Sequence, residues 1–536
     1  MRFLTPSLIA LTIAFAFWRF GENSADPDLW GHVLYGETHL LGGNLPAGDP
    51  YSWTAAGAPW INHEVGAELV MAAAHLAGGS AGLWVLMVAV AAATLALAWR
   101  EARARLSPDA GWLAWLILLL ASREIAVGFA MRPQIFSLLG WALFLTGLRA
   151  LLAGRRLAWF LLPAGFVVWV NVHGGVLLAL LALGVVALAL SGLTVMGRAG
   201  LLPAGAIERV MPGQGPRLPG LWLAAGLGTA GLFLNPYGWR LPVWLVESVR
   251  YVRPEISEWN PPALAPGHAL FWLLAGLWLA LIFVRRTRLP AWEALVGCLV
   301  LAAAVRHERH IPFFALAMAV FVPGALERWA LSGAWWSPHL LKLGERPAFV
   351  RLLVTINAVA ALAFFACGAG CGKVRFWRLE VSRSEYPVAA MDYIRTAKIR
   401  GNAIVYFDWS QQALWMLPDS RVSLDGRLDT CYSRGLIAEH WRFFHDGVLP
   451  KETFSIDRAD WALVPTGGAA SAALAGTMTW RRSYGDRLAE VFVNTARLAA
   501  TGSLVFGGPA ATQGRESFPD AAASADNSPG KNLIRR

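Results

Sequence analysis

Residues 3–32 read FLTPSLIALTIAFAFWRFGENSADPDLWGH. The first eighteen of them are apolar apart from Thr5, Ser7, Thr12 and Arg19. A run of about 17–25 mostly apolar residues is what crossing a bilayer requires. The next twelve change character and carry Glu22, Asp26 and Asp28 around Pro27. The stretch predicts a membrane anchor that leads straight into an acidic loop. Only Met1 and Arg2 precede it, with no small-residue cleavage site, so it reads as an anchor and not as a removed signal peptide.

Working outward, similar apolar runs fall near 3–20, 82–99, 111–122, 125–148, 157–171, 174–196, 219–235, 268–284, 290–305, 311–330 and 350–370. The sequence therefore predicts an α-helical polytopic membrane protein of about eleven transmembrane helices. Residues 64–78 are apolar but short, and read as an interfacial helix joined to the next span by Gly78-Gly79-Ser80. Composition agrees: of 536 residues 56% are hydrophobic and 15% charged, with a mean hydropathy of +0.47. Soluble domains average about 45–50% apolar and about 25% charged residues. The chain is too apolar for a soluble enzyme or a disordered protein. Four Cys exclude a disulfide-dense scaffold. Cys367 and Cys371, at the end of the last span, read as small core thiols.

The net charge of +11 becomes informative once it is placed by loop. Residues 21–63 hold no Lys or Arg, but carry Glu22, Asp26, Asp28, Glu37 and Asp49. Basic residues gather instead at Arg100, Arg103 and Arg105; Arg155 and Arg156; Arg198, Arg209 and Arg217; Arg285, Arg286 and Arg288; and Arg328, Lys342, Arg346 and Arg351. With eleven spans all of these lie on one side, taken as cytoplasmic by the positive-inside rule. The N-terminus is then cytoplasmic. The first loop and everything after about residue 372 face the periplasm or exterior of a bacterial plasma (inner) membrane. A basic charge spent on orientation points to no nucleic acid.

Residues 1–371 are thus read as a transmembrane module whose first extracytoplasmic loop, with interfacial helices, spans 21–81. Residues 372–496 are read as a small C-terminal α/β domain, with strand-like runs at Ala403–Phe407, Arg421–Leu424, Trp461–Val464 and Leu488–Val493 and a helix over Pro387–Thr396. Residues 497–536, rich in Ala, Gly and Ser, read as a disordered tail.

Polar residues near spans are costly, about 2.5–3.5 kcal/mol for a mid-span charge. Here they gather on the outer side: Asp26-Pro27-Asp28 with His32; Asn62-His63-Glu64; Arg132-Pro133-Gln134; Asn171 and His173-Gly174-Gly175; Asn235-Pro236-Tyr237-Gly238; Glu258-Trp259-Asn260; and Arg306-His307-Glu308-Arg309-His310. The Arg306–His310 group has the wrong sign for that side and so calls for an anionic partner, either a lipid phosphate, neighbouring acids such as Glu308, or anionic headgroups. Arg132 makes a similar case, or pairs with Glu124 or Asp28. A polar face built from so many loops predicts a site and not a structural scaffold.

The first-loop opening Asp26-Pro27-Asp28-Leu29-Trp30-Gly31-His32, the stretch Asp49-Pro50-Tyr51-Ser52-Trp53-Thr54 and the end Trp60-Ile61-Asn62-His63-Glu64 resemble the GT-C superfamily of membrane glycosyltransferases. The closer likeness is to its protein-mannosyltransferase and aminoarabinose-transferase type. It continues through Arg132-Pro133-Gln134, His173-Gly174-Gly175, Asn235-Pro236-Tyr237-Gly238 and Arg306–His310 to Asp425-Gly426-Arg427-Leu428-Asp429, and so covers most of residues 1–430. Two departures stand out. Gly31 replaces a commoner aromatic residue, and Gln411-Gln412 stands where that group often has Gly.

The resemblance implies transfer of a sugar from a polyprenyl-phosphate donor to a glycan, lipid or protein acceptor of the cell envelope. It implies a first-loop acid as base or metal ligand, Asp28 first and Asp26 second. Asp26 has a structural alternative as cap of a helix beginning at Pro27. Arg306, Arg309, His310 and Arg132 are expected on the lipid phosphate, with His63, Glu64, His32 and His173 nearby. The motifs fix no cofactor, and Asp28, Glu64 and His63 could hold a divalent cation. A membrane partner subunit docking on the C-terminal domain is the further expectation. Alternatives are a non-catalytic assembly subunit and a lipid-linked-substrate flippase; the absence of an internal repeat speaks against the latter.

Overall fold

A computed structural model describes residues 4–43, 45–46, 48–202, 218–251, 253, 255–284, 289–332, 346–370, 378–498 and 515–517. Arg209, Arg217, Arg285, Arg286, Arg288, Lys342 and Cys371 of the sequence reading lie outside them. The chain divides into two compact units. The first is made of residues 1–22 and 87–376, the second of residues 23–86 and 377–536.

The first unit is helical. Its elements are α1 (Leu4–Phe20), the later part of α3 (Val65–Arg103), α4 (Gly111–Ala126), α5 (Gln134–Leu152), α6 (Ala158–Val170), α7 (Val176–Arg198), α8 (Leu218–Gly231), α9 (Arg240–Ser248), α10 (Ala269–Phe283), α11 (Ala291–Arg306), α12 (Ile311–Leu331) and α13 (Pro347–Gly370). Each apolar run of the sequence reading is helical over most of its length, but the run near 125–148 is broken between α4 and α5, where residues 127–133 leave the helix. Among the described residues six helices are long and apolar enough to cross a membrane: Val65–Arg103, Gln134–Leu152, Val176–Arg198, Pro266–Phe283, Glu308–Leu331 and Pro347–Gly368. Leu4–Phe20 and Ala158–Val170 are apolar but shorter.

Two helices mark the extremes of burial. α12 is apolar on all sides and is buried from Ile311 to Ala325, as a helix without a polar face must be. It packs on α4, α5, α10 and α11. α13 is equally apolar but exposes Leu352, Ile356, Val359, Leu362 and Phe365, and Cys367 is exposed on it rather than in a core. It packs on α1, where Phe364 meets Phe15 and Trp18 at 5.1 Å and Asn357 Nδ2 donates to Ser7 Oγ at 3.0 Å.

Part of the basic charge read as loop is neutralised inside this unit. Arg105 Nε donates to Glu293 Oε1 at 3.0 Å and Arg105 Nη1 meets Glu101 Oε2 at 3.3 Å. Arg149 also pairs with Glu101. Buried charge persists only when paired in this way.

The second unit joins the first loop to the C-terminal part. It contains α2 (Leu29–Gly42), the beginning of α3, β1 (Glu380–Ser382), α14 (Val388–Thr396), β2 (Gly401–Val405), α15 (Phe407–Met416), β3 (Ser420–Val422), α16 (Arg434–Asp446), β4 (Trp461–Pro465), α17 (Ala469–Ala475), β5 (Trp480–Gly485) and β6 (Ala489–Asn494). The helical conformation of α3 breaks at Gly78 and Gly79 (φ +56°), at the joint the sequence predicts. The sheet order is β3-β2-β4-β6-β5. β2 runs parallel to β3 and β4, while β6 runs antiparallel to β4 and β5. The sequence reading missed β5, whose exposed Arg481 and Arg482 hide its alternation. From the tail, β7 (Arg515–Ser517) pairs antiparallel with β1.

First-loop segments complete this sheet. Ser52 bridges Val422 in parallel, with Trp53 N donating to Val422 O at 3.1 Å and Val422 N to Tyr51 O at 3.2 Å. Ser24 bridges Glu380 in the same sense. Trp53 enters the core with Ile404, Leu424, Phe443, Phe454 and Phe492, and its Nε1 donates to Ala403 O at 2.9 Å. Burying a large apolar side chain contributes on the order of 2–3 kcal/mol. The first loop is therefore a folded part of the C-terminal α/β unit.

Candidate functional site

The site in the second unit begins with a turn that the sequence dictates. Asp26 Oδ1 accepts from Asp28 N at 3.0 Å, and Asp26 O accepts from Leu29 N at 3.0 Å. An Asp two residues ahead of an amide is well placed for such an Asx turn. Asp26 is thereby tied to local backbone. Asp28 becomes the N-cap residue of α2 but makes no side-chain capping bond. The third amide of the helix, Gly31 N, donates instead to Gln411 Oε1 of α15 at 3.1 Å.

Gly31 and Gln411, the two departures from the motif set, are thus neighbours. A Cβ at position 31 would stand 2.2 Å from Gln411 Oε1. Gln411 fills the space a larger residue at 31 would take. Gly426 serves the same spot from the other side. A Cβ there would lie 2.2 Å from Gln411 Nε2 and 2.5 Å from Asp28 Oδ1. The Asp425-Gly426-Arg427 motif therefore needs its glycine for close approach.

One turn along α2, His32 Nδ1 meets Glu68 Oε1 at 3.2 Å. Asn62 Nδ2 donates to Glu68 Oε2 at 2.5 Å, and Asn62 Oδ1 accepts from Glu64 N at 3.0 Å. His63 Nε2 lies 3.7 Å from Glu64 Oε1. The group whose ligand atoms all lie within 4.8 Å of one another is His32, Glu64 and Glu68. The structure brings Glu64 together with His32 and Glu68, and Asp28 and His63 stand outside that set. One imidazole and two carboxylates fit a divalent ion of intermediate softness. Sequence reasoning missed Glu68, although its spacing of four from Glu64 puts both on one helix face. Burial opposes a charge on His32, but the Glu68 hydrogen bond and the charges of Glu64, Glu68 and Asp28 outweigh it and push His32 up to about 9. The imidazole is a cation at neutral pH.

Asp425 and Arg427 are buried at 0% and 5% exposure. The cause is a first-loop partner, since Arg427 Nη1 donates to Asp49 Oδ1 at 2.6 Å. Its Nε and Nη2 donate to the two Asp425 oxygens at 2.8 and 2.7 Å, and Tyr432 OH donates to Asp425 Oδ2 at 2.8 Å. The rings of Tyr35, Tyr51, Trp60 and Tyr432 surround the guanidinium at 4.9–5.6 Å. Asp429 is half-buried.

A separate cluster lies in the first unit. Arg309 Nη1 and Arg132 Nη1 share Glu258, at 3.7 and 3.8 Å. Arg253 and Arg309 each place a guanidinium 4.4 Å from the Trp259 ring centre. His307 is hydrogen-bonded through Nδ1 to Trp259 O, Arg306 Nε donates to His307 Nε2 at 3.3 Å, and the His307 and His310 rings lie 5.8 Å apart, tilted by 56°. Glu308 takes His268 at 3.3 Å. Arg132 thus pairs with Glu258, while Glu124 is taken by Arg123. Arg132, Arg253 and Arg309 meet at the single carboxylate of Glu258 and the Trp259 face, a cationic surface suited to a doubly charged oxyanion. His173 is engaged differently: its Nδ1 accepts from Gly175 N at 3.0 Å and meets Ser137 Oγ at 2.7 Å, within packed helices.

No protein-family model and no curated protein sequence matches the chain. Solved structures do. ArnT from Cupriavidus metallidurans in the apo state is similar over 94% of this chain and 98% of its own, with a TM-score of 0.54 at 14% identity. The Archaeoglobus fulgidus oligosaccharyltransferase in the apo form is similar over 86% of this chain and 69% of its own, with a TM-score of 0.54 at 12% identity. The same enzyme tethered to an acceptor peptide gives a TM-score of 0.50. The chain shares the fold of ArnT and of this oligosaccharyltransferase.

Proposed function

We propose, from a GT-C fold whose acidic first-loop turn is built into the C-terminal α/β unit, that this protein is a membrane glycosyltransferase. It moves a sugar from a polyprenyl-phosphate donor to a cell-envelope acceptor on the extracytoplasmic face. The observation that carries this reading is the Asp26-Pro27-Asp28 turn. It holds Asp26 in backbone hydrogen bonding and sets Asp28 at the start of α2 without a side-chain capping bond. The similarity to ArnT and to an oligosaccharyltransferase supports it at the level of fold.

Transfer needs a base for the acceptor hydroxyl. Asp28 takes that proton as the acceptor oxygen attacks the anomeric carbon. The bond from that carbon to the phosphate oxygen breaks, and the phosphate leaves with the electron pair. A single displacement of this kind inverts the anomeric centre. The leaving phosphate needs positive charge already in place. Arg132, Arg306 and Arg309 supply it, with His310 beside them as a hydrogen-bonding group, and Trp259 orients Arg309 through its ring face. His32, Glu64 and Glu68 are the residues that would hold a divalent cation, which when bound would add positive charge for the phosphate. His63 supports Glu64, and His173 is held by Ser137 among the helices of the first unit.

The test is sugar release from a panel of radiolabelled polyprenyl-phosphate sugars by purified full-length protein. Asp28→Asn should lower turnover by about 100-fold or more, the usual contribution of a positioned base. Turnover unchanged by Asp28→Asn, or no turnover of any donor by the wild type, refutes the reading.

A further inference from the structure

We propose that Glu258 is a displaceable stand-in for the donor phosphate: its carboxylate keeps Arg132 and Arg309 facing one point until the donor arrives, then yields both guanidinium groups to the phosphate and returns to them as the product leaves. The proposal rests on the reading of Arg132 and Arg309 as ligands of the lipid phosphate.

The argument starts from the length of the contacts. Glu258 Oε2 lies 3.8 Å from Arg132 Nη1, and Glu258 Oε1 lies 3.7 Å from Arg309 Nη1. The two oxygens of one carboxylate thus serve two cations, as two oxygens of a phosphate would. Neither distance is that of a hydrogen bond, which for a charged pair runs at about 2.7–2.9 Å. The Glu258 side chain also keeps 35% of its surface in water. An exposed ion pair of this kind contributes at most about fivefold to an equilibrium. A hydrogen bond to a charged group contributes about ten- to 150-fold. A phosphate whose oxygens close on the same two guanidinium groups therefore displaces the carboxylate.

The backbone around Glu258 is fixed, so the exchange asks only its side chain to swing. Glu258 is the central residue of the short 3₁₀ turn Ser257–Trp259. Trp259 N donates to Ile256 O at 3.1 Å, Asn260 N to Ser257 O at 2.9 Å, and Glu308 N to Asn260 O at 3.0 Å. His307 Nδ1 is hydrogen-bonded to Trp259 O, which ties the turn to the segment that carries Arg309. Arg309 keeps its place without Glu258, because its guanidinium lies 4.4 Å from the Trp259 ring centre. Arg253 packs on the same ring and is itself held by Ser248 O at 3.1 Å and Ser248 Oγ at 2.7 Å. Charge supplies the return step. A polyprenyl-phosphate sugar is a phosphodiester with one negative charge, whereas the phosphate monoester left after transfer carries about −1.5 to −2 at neutral pH. The returning carboxylate repels that product more strongly than it repels the donor.

The experiment measures binding calorimetrically on purified full-length protein in detergent, with undecaprenyl phosphate as the probe and undecaprenol as its uncharged control. The wild type should prefer the phosphate, and Arg132→Ala and Arg309→Ala should each weaken phosphate binding about tenfold or more. Glu258→Gln and Glu258→Ala should each tighten phosphate binding about fivefold or more and leave binding of the alcohol within about twofold. The gain from Glu258→Gln should disappear when Arg132→Ala and Arg309→Ala are both present, since the carboxylate then has nothing to compete for. In turnover of whichever donor of the panel the wild type uses fastest, Glu258→Gln should strengthen inhibition by undecaprenyl phosphate. Phosphate binding that is unchanged or weaker in both Glu258 variants, while either Arg→Ala change still weakens it, overturns the proposal and leaves the phosphate reading standing. Equal tightening of phosphate and alcohol, or a gain that persists without the two arginines, overturns it as well. Phosphate binding indifferent to both Arg132 and Arg309 overturns the phosphate reading itself, and the proposal with it.

Discussion

Arg427 of the C-terminal domain donates through Nη1 to Asp49 of the first loop at 2.6 Å, with both side chains buried. The pair spans 378 positions of sequence and ties the loop to the Asp425–Tyr432 turn. Breaking a buried ion pair by removing one partner costs about 3–5 kcal/mol, because the other charge is left uncompensated. Arg427→Met should make the second unit sensitive to limited trypsin digestion, and Asp49→Asn should do so less severely, since Asp425 still neutralises the guanidinium. Equal protease resistance in wild type and Arg427→Met would show the network to be dispensable.

His32 predicts a pH dependence whose sign is set by its raised value. Glu68, Glu64 and Asp28 raise it against burial from its ordinary 6.5 to about 9. The stability it contributes is complete below about 6.5 and is lost as pH rises through about 9. In EDTA-containing buffer the wild-type melting temperature should therefore fall between pH 7 and 10. His32→Gln should show a flatter profile across that window, with the lower melting temperature at pH 7.

The cation question has a direct measurement. If His32, Glu64 and Glu68 hold a divalent ion, Mn2+ should bind the EDTA-treated protein more tightly at pH 9.5 than at pH 7, because ion and proton compete for His32. Glu68→Gln should weaken that binding about tenfold or more. Mn2+ affinity that is independent of pH and of Glu68 excludes this cluster as the site.

Gly426 offers a steric test of the Asp28 surroundings. Gly426→Ala places a methyl group where Asp28 Oδ1 and Gln411 Nε2 now approach, closer than any ordinary Cβ contact. Turnover should fall at least tenfold while the Arg427 network, which lies on the neighbouring side chains, keeps the unit protease-resistant. Wild-type turnover in Gly426→Ala would mean that the Asp28 carboxylate has more room than this geometry allows.

For the cationic cluster the expectation concerns donor affinity. A hydrogen bond to a charged group contributes about 1.5–3 kcal/mol, or roughly 10- to 150-fold. Arg309→Ala and Arg132→Ala should each raise KM for the polyprenyl-phosphate sugar by at least about tenfold. Glu258→Gln should lower KM, because it removes the carboxylate that both guanidinium groups now share. A rise in KM with Glu258→Gln would make Glu258 an organiser of the cluster and not a competitor of the phosphate.

Much of this was legible in the chain. Apolar length marked the stretches that fold as helices, because each must satisfy its own backbone and bury or expose a whole apolar surface. The joint at Gly78-Gly79, the β2, β3, β4 and β6 runs and the Asp26-Pro27-Asp28 turn are local too, and local rules found them. The identity of Asp28's neighbours is not local. Gln411 and Gly426 reach the α2 end through buried contacts between segments hundreds of residues apart, and no spacing along the chain encodes those. The same holds for Arg427, which reads as a surface turn residue until Asp49 arrives to neutralise it. The sequence alone determined which stretches are apolar enough for helices, which loop is acidic and which residues are chemically costly. Only the tertiary structure decided which of those residues meet, because burial and pairing are properties of the packed chain and not of its neighbouring letters.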